Sequence, residues 1–342
     1  MNTNLTVRQI AKKTGVSTAT VSRVLNNRPG ISDEARQAVL SAVNSSGYRN
    51  LRGSSSSSIL RIAILYAGSG TSVTLRGYDA DLATGIYASA GERQAQLSIL
   101  NLSQKKADET FTQFFLRNHI DGVVLRVFEF SRQVAVQIAS EGFPCVVASE
   151  RYDEEKVSFV DYDSRPGMAR AMDHLAEIGH RRIGFASSLC QGDEDTDHRD
   201  RRNAYLEGLK RNGLEFDERL ILETTSSRQG GASAVDQFIA LENPPTAIIF
   251  ANPPPTIGGI MRALNLGINV PGKLSIVGYD NSDMRHSIHP SYSAVCQDAE
   301  KIGYMAASAV LDRIIDRTLS PAHIVVPTFF EANETTSSVE IK

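Results

Sequence analysis

The stretch TGVSTATVSRVLN, residues 14–26, crowds short hydroxyl side chains onto a segment whose apolar residues have helical spacing. Val21, Val24 and Leu25 recur at i, i+3 and i+4 and so share one side of a helix. Ser and Thr are mediocre helix formers, because their hydroxyls compete for backbone hydrogen bonds. Something other than helix stability selects them here. Just upstream, Thr6 is placed to cap a helix with Val7, Ile10 and Ala11 on its apolar side, and Gly15 is free to take the positive φ that ends it. Ser17 caps the next helix. The connection between the two is so short that they must meet at a steep angle, which predicts a helix-turn-helix. A third helix is expected from Ser32 to Gly47, with Asp33 and Glu34 in its first turn and Ala35, Ala38, Val39, Ala42 and Val43 as its stripe.

The second helix leaves Thr18, Ala19, Ser22 and Arg23 facing outward. Short side chains let a helix backbone approach the floor of a DNA major groove. Hydroxyls bond phosphates or base edges, Ala touches a thymine methyl, and Arg grips guanine. The plain alternative is a three-helix bundle or a protein-binding module, and charge decides against it. Residues 1–53 carry eight basic residues and two acids, a net +6, whereas the rest of the 342-residue chain carries −9. A small basic head on an acidic body predicts a polyanionic partner.

The segment from Leu5 to Arg49, with GVSTATVSRVLN (residues 15–26) at its centre, resembles the headpiece of the LacI/GalR family of bacterial transcription regulators. The resemblance implies that Thr18, Ala19 and Arg23 read bases, and that Thr6, Ser17, Thr20, Ser22 and Asn26 hold phosphates. After Tyr48 the family places a Pro-Asn and an Ala-Arg-x-Leu hinge helix that wedges a Leu into the minor groove. Here the chain reads YRNLRGSSSSSIL, residues 48–60, without the Pro and without that motif. Leu51 and Arg52 remain as candidate wedge and phosphate contact. The five serines read as a flexible tether, and composition favours the tether.

From Leu60 onward, short apolar runs alternate with amphipathic stretches: residues 61–67, 96–100, 121–127, 144–149, 181–187, 246–250 and 274–279. Nearly continuous apolar strands with helical crossovers mean parallel sheets covered on both faces. The expected architecture is an all-α helix-turn-helix head (1–50), a Ser-rich linker (51–60) and an α/β core (61–342) of two doubly wound lobes. The resemblance extends to this periplasmic binding protein-like core through DSRPGMARAMDHLAEIGHRRIGF (163–185) and VPGKLSIVGYDN (270–281). It implies one lobe of about 61–160 plus 291–325, a second of 161–290 plus the C-terminal segment, and closure on a ligand.

Ligands of open parallel sheets bind at the carboxyl ends of strands. That rule selects Ser149, Glu150, Asn252 and Asp280. The resemblance adds Arg201 as the effector-gripping arginine, assigns Asp280 as hydroxyl acceptor, and adds Gln297 beside Asn252. An Arg and a carboxylate suit a polyhydroxylated ligand, a sugar or sugar derivative. Three departures stand out: Pro253 where the family has Asp, Ser226 where some members place a stacking aromatic, and no Trp. The loop GDEDTDHRD (192–200) brings Asp195 and Asp197 near the expected site. It reads as a solvated acidic loop or, less simply, as a preference for an amino-substituted or polyol ligand.

Two other functional classes share parts of this pattern. An enzyme lacks support, since there is no GKS/T P-loop, G-x-G-x-x-G, G-x-S-x-G or H-E-x-x-H, and no His has a convincing Cys or Asp partner by spacing. No catalytic residue, metal site or cofactor is expected. A secreted sugar-binding protein shares the body, but the basic head and the missing signal-peptide pattern rule against it; a sugar-binding protein with weak or constitutive DNA binding is the alternative. Three widely spaced cysteines, the lack of a signal-peptide pattern and the lack of a membrane-length apolar run predict a cytoplasmic protein. The expectation is a homodimeric, effector-controlled repressor of sugar or related carbon-source genes, bound to a near-palindromic double-stranded operator. The polar C-terminus, without leucine heptads, gives no tetramerising coiled coil.

Overall fold

Apolar runs of four to six residues, too short for helices and flanked by polar turns, become interior strands. In the computed structural model the chain begins with α1 (Val7–Thr14), α2 (Thr18–Leu25) and α3 (Asp33–Ser46). There follow β1 (Arg61–Tyr66), α4 (Tyr78–Glu92), β2 (Gln96–Asn101), α5 (Phe111–Arg117), β3 (Gly122–Arg126), α6 (Arg132–Ser140), β4 (Cys145–Ala148) and β5 (Ser158–Asp163). The series repeats as α7 (Ser164–Glu177), β6 (Ile183–Ser188), α8 (Thr196–Arg211), β7 (Ile221–Thr224), α9 (Arg228–Ile239), β8 (Ala247–Phe250), α10 (Pro253–Asn265) and β9 (Ser275–Tyr279). It closes with α11 (Met284–Ser287), β10 (Ser293–Cys296), α12 (Ala299–Ile315), β11 (His323–Pro327) and β12 (Phe329–Glu331). The structure describes residues 6–25, 28, 30–46, 59–67, 75, 77–126, 132–188, 196–280 and 284–339.

The two sheets repeat one topology. The first has the order β11-β5-β4-β3-β1-β2 and the second β12-β10-β9-β8-β6-β7. Counted within each sheet, both follow the doubly wound 2-1-3-4-5 order with one late strand added at the edge. Each is strongly apolar: Val123, Val124 and Leu125 in β3, and Ile248, Ile249 and Phe250 in β8, are fully buried. The late strand β12 runs antiparallel to β10.

The chain divides into two compact units, Met1–Asp161 with Glu300–Ile324, and Tyr162–Ala299 with Val325–Lys342. One sequence expectation is corrected. Residues 291–298 do not belong with the first lobe, because Ser293–Cys296 is a buried strand paired in parallel with β9. The apolar run HIVVPTFF, residues 323–330, is also split. Pro327 removes a backbone donor and ends β11 in the first sheet, and Phe329–Glu331 joins the second. In the head, α1, α2 and α3 share a core of Ile10, Val21, Val24, Val39 and Val43. Leu40 takes the core place expected of Ala38, which is exposed.

Glycines set the closest helix approach in the first unit. A Cβ on Gly85 of α4 would lie 1.8 Å from the Glu300 carbonyl oxygen, and one on Gly303 of α12 would lie 2.0 Å from that of Leu82. The two backbones touch only because neither glycine has a side chain. The thiols of Cys145 and Cys296 are pushed up to about 12 and about 11 by burial, so both stay protonated. No helix among the described residues is long and apolar enough to cross a membrane.

Two stability measurements check this account. Gly85→Ala is expected to lose about 1–3 kcal/mol by forcing α4 off α12. Gly91→Ala, in the same helix but facing open space, is expected to gain several tenths of a kcal/mol. Equal effects in denaturant melts would refute the contact. His180 is the second case. It is buried between Thr246, Ser275 and the Ser337 carbonyl. Desolvation by burial lowers its pKa from 6.5 to about 4. Its contribution is therefore complete above pH 6.5 and is lost as pH falls toward 4, by up to about 3 kcal/mol. His180→Asn is expected to flatten the stability slope across that window relative to the parent, and an unchanged slope would remove the assignment.

Candidate functional site

The head builds its exposed surface from two capped helix starts. Thr6 accepts a hydrogen bond from the Gln9 backbone N–H at 3.3 Å, and Gln9 Oε1 accepts from the Thr6 backbone N–H at 2.7 Å, a complete capping box. Gly15 ends α1 with φ +70°. Ser17 Oγ accepts from the Thr20 backbone N–H at 3.0 Å and lies 2.9 Å from Thr20 Oγ1. Ser17, Thr18, Ala19 and Arg23 are exposed, while Thr20 and Ser22 are half-buried. Positions 18 and 22, and 19 and 23, are helical neighbours, so the base-reading candidates share one face opposite buried Val21 and Val24. Lys12, Lys13 and Arg28 are exposed around them. Asn26, Leu51 and Arg52 lie outside the described residues.

A contact not legible in the sequence joins this head to the first sheet's helices. Gln113 Nε2 of α5 donates to the Val24 carbonyl at 2.8 Å, satisfying an acceptor at the end of α2. Leu116, one turn on, packs against the head's core. Gln113 is buried although polar, because its side-chain oxygen also receives the Thr110 N–H at the start of α5.

In the second unit, polar side chains gather where β6, β8, β9 and β10 end. Arg201 of α8 is 4% exposed and held on three sides. Its Nη1 donates to the Ala251 carbonyl at 2.8 Å, its Nη2 to Asp197 Oδ2 at 2.9 Å, and its guanidinium carbon lies 3.8 Å from the centre of the Tyr279 ring. Tyr279 donates to Ser164 Oγ at 2.7 Å, and burial pushes its pKa up to about 12. Asp280 follows Tyr279 with φ +82° and is buried. A non-glycine residue in the left-handed region, at a strand end, marks a position held for its side chain. Asn252 Oδ1 pairs with His198 Nε2 at 3.0 Å, and Gln297 is 8% exposed with its Oε1 buried and without a partner among the described residues. Asp195 lies outside the described residues. Asp197 spends its charge on Arg201 rather than in an open acidic loop. Pro253, Pro254 and Pro255 occupy the first turn of α10, where a missing N–H costs nothing.

The first unit has its own cluster at the ends of β1, β3 and β4. Ser149, with φ +68°, meets the Tyr78 hydroxyl. Arg126 stacks over Tyr78 at 5.2 Å and bonds Asp79 at 2.9 Å. Glu150 lies 3.4 Å from Arg132, which stacks on Tyr152 at 4.3 Å. Burial, with Asp79 adding, pushes Tyr66 up to about 12, so it stays a donor. Of these residues only Ser149 and Glu150 were expected. Applying the strand-end rule to β1 would have found Tyr66. Among the described residues no group of three or more His, Cys, Asp or Glu side chains is placed to hold a metal ion.

Comparison with known proteins bears on both parts of the chain. Residues 6–50 match the model for bacterial regulatory proteins of the lacI family, and residues 172–336 match a periplasmic binding protein-like domain. Catabolite control protein A of Priestia megaterium is 25% identical over 337 residues, 97% of this chain and 99% of that protein. The HTH-type transcriptional repressor CytR of Escherichia coli K12 is 28% identical over 324 residues, 91% of this chain and 90% of that protein. The solved complex of the transcriptional regulator CelR with cellobiose is 25% identical, with a TM-score of 0.68 over 97% of this chain and 99% of that one.

The Ser17 cap gives a direct check. Ser17→Ala is expected to cost the head about 1 kcal/mol and to speed amide exchange in α2 more than in α12. Unchanged exchange would show that the cap contributes nothing to helix order.

Proposed function

Because the chain belongs to the LacI family of bacterial regulatory proteins, we propose that its head reads an operator while a small polar molecule taken up by the core controls that reading. The observation that carries the DNA role is the exposed face of Thr18, Ala19 and Arg23 on a helix whose opposite side is buried. Arg23 reads guanine and Ala19 a thymine methyl, while the hydroxyls of Ser17 and Thr20 hold phosphate. The chain acts as a repressor in the cytoplasm and catalyses nothing.

The ligand role rests on Arg201. Its guanidinium is locked by Ala251, Asp197 and Tyr279, so it presents a preorganised fork. Asp280 and Gln297 supply acceptors on adjacent strand ends. This donor and acceptor set suits a neutral polyhydroxylated ligand, and cellobiose in the CelR complex and ribose in another relative's structure are of that class. Because Asp197 is already paired, an amino-substituted ligand is disfavoured. The chain works as a homodimer, as the lac repressor does on its operator. Tyr87, 70% exposed on α4, and Met261 and Leu264 on α10 offer apolar surface to a second copy.

The test joins operator selection to ligand screening. A duplex selected from a randomised palindromic library is titrated with the full chain at several salt concentrations. Arg23→Ala is expected to reduce discrimination over random duplex at least about tenfold while keeping a salt-dependent background; preserved discrimination would remove the base-reading role. In a thermal-shift panel of sugars and polyols that includes cellobiose and ribose, the parent is expected to show a saturable rise in Tm, absent in Arg201→Ala. A mutant that still responds would place the pocket elsewhere.

A further inference from the structure

One side of α3 is turned toward α5 and α6 of the first lobe. Together with α5, α6 and the end of α12 it lines a half-open cavity of about 760 Å³, within the size range of small-molecule sites. Its walls carry Arg36 from the head and Lys105, Arg313 and Arg317 from the lobe. All four cations are half-buried. The carboxylates on the walls are Asp33, Glu109 and Glu141. Glu109 is taken by Arg117 through two hydrogen bonds, of 2.8 and 3.0 Å. Glu141 accepts the backbone N–H groups of Phe111 at 3.0 Å and Thr112 at 2.6 Å. Once the Arg117 pair is counted, the cavity holds a surplus of two positive charges in a partly desolvated space. Gln37, Ser41, Gln137 and Ser140 add amide and hydroxyl groups.

We propose that this cavity binds a phosphate monoester carried on a polyhydroxylated body, clasping the head to the first lobe. The charge surplus matches a phosphate dianion, and three arginines match its oxygen geometry. The amides and hydroxyls match the alcohol groups. Desolvation by burial also holds Arg313 below the ordinary arginine range, so an anion there relieves an existing cost. The site spans a seam already made by Gln113 on the Val24 carbonyl and by Leu116. A ligand there stabilises the docked head, and it does so without touching Arg201. It is a second chemical input, separate from the core's polar clusters.

Calorimetry on the full chain tests this with ribose 5-phosphate, ribose and inorganic phosphate as probes. Ribose 5-phosphate is expected to bind saturably and more tightly than either of the others. Arg36→Glu in the head and Arg317→Glu in the lobe should each weaken it about tenfold or more, and Arg201→Ala should leave it unchanged. Should charge reversal unfold the chain, Lys105→Gln with an unaltered Tm gives the same reading. The proposal is overturned if ribose 5-phosphate does not bind, if ribose binds as tightly, or if only Arg201→Ala weakens binding. A random-sequence duplex that displaces ribose 5-phosphate would overturn it too, by making the cavity a DNA phosphate contact. None of these outcomes depends on whether the chain recognises an operator.

Discussion

A parallel sheet needs a crossover after every strand, and the direction in which the crossovers proceed can reverse only once without crossing the chain. Where it reverses, the two flanking helices lie on opposite faces and a crevice opens at the carboxyl ends of the strands. In the second unit that point lies between β6 and β8. Arg201, on the helix after β6, reaches the carbonyl of Ala251, just after β8. In the first unit it lies between β1 and β3, and there Asp79, after β1, meets Arg126, the last residue of β3. Each lobe thus carries an arginine at its reversal, supplied by the helix in the second unit and by the strand in the first.

The fold was legible because its strands are short apolar runs whose interiors admit no other reading. Val123–Leu125 and Ile248–Phe250 have no polar face and must be covered on both sides. Asp280 was legible because it follows such a run directly. Arg126 was not, because it ends a run that continues with Val127, and position alone does not reveal that the strand stops there. Tyr78 stands twelve residues beyond the end of β1, so no spacing rule ties it to Ser149. Pro253, which departs from the family's Asp, opens a proline triplet at 253–255. The triplet is the opening turn of a helix, a role fixed by the residues after it rather than by the strand before.

The hydroxyl-rich helix start answers two demands at once. Thr6 and Ser17 satisfy backbone donors that would otherwise be orphaned, and they remain at the surface while doing so. A helix start of this kind already presents oriented N–H dipoles and small polar groups, which are the features a phosphate backbone bonds. The family resemblance assigned these residues to phosphate, while the sequence and the local geometry both make them caps. The Thr6 hydroxyl hydrogen goes to Gln9 Oε1 at 3.0 Å, so the two roles are compatible at Ser17, whose hydroxyl lies beside that of Thr20 and can turn its hydrogen to a phosphate.

The order in which the chain is made has a consequence for how the first lobe matures. That unit takes Glu300–Ile324 from near the end of the sequence, after Tyr162–Ala299 of the second unit has been spelled out. Until those residues leave the ribosome, the groove beside Gly85 has no α12 to fill it and β5 is an unpaired edge. The second unit, by contrast, has its five parallel strands in hand by Cys296. A nascent molecule therefore carries a DNA-reading head attached to an unfinished first lobe through most of its synthesis. The first lobe is the half in which an open strand edge waits longest for its partner, and such edges are where nascent chains are prone to associate.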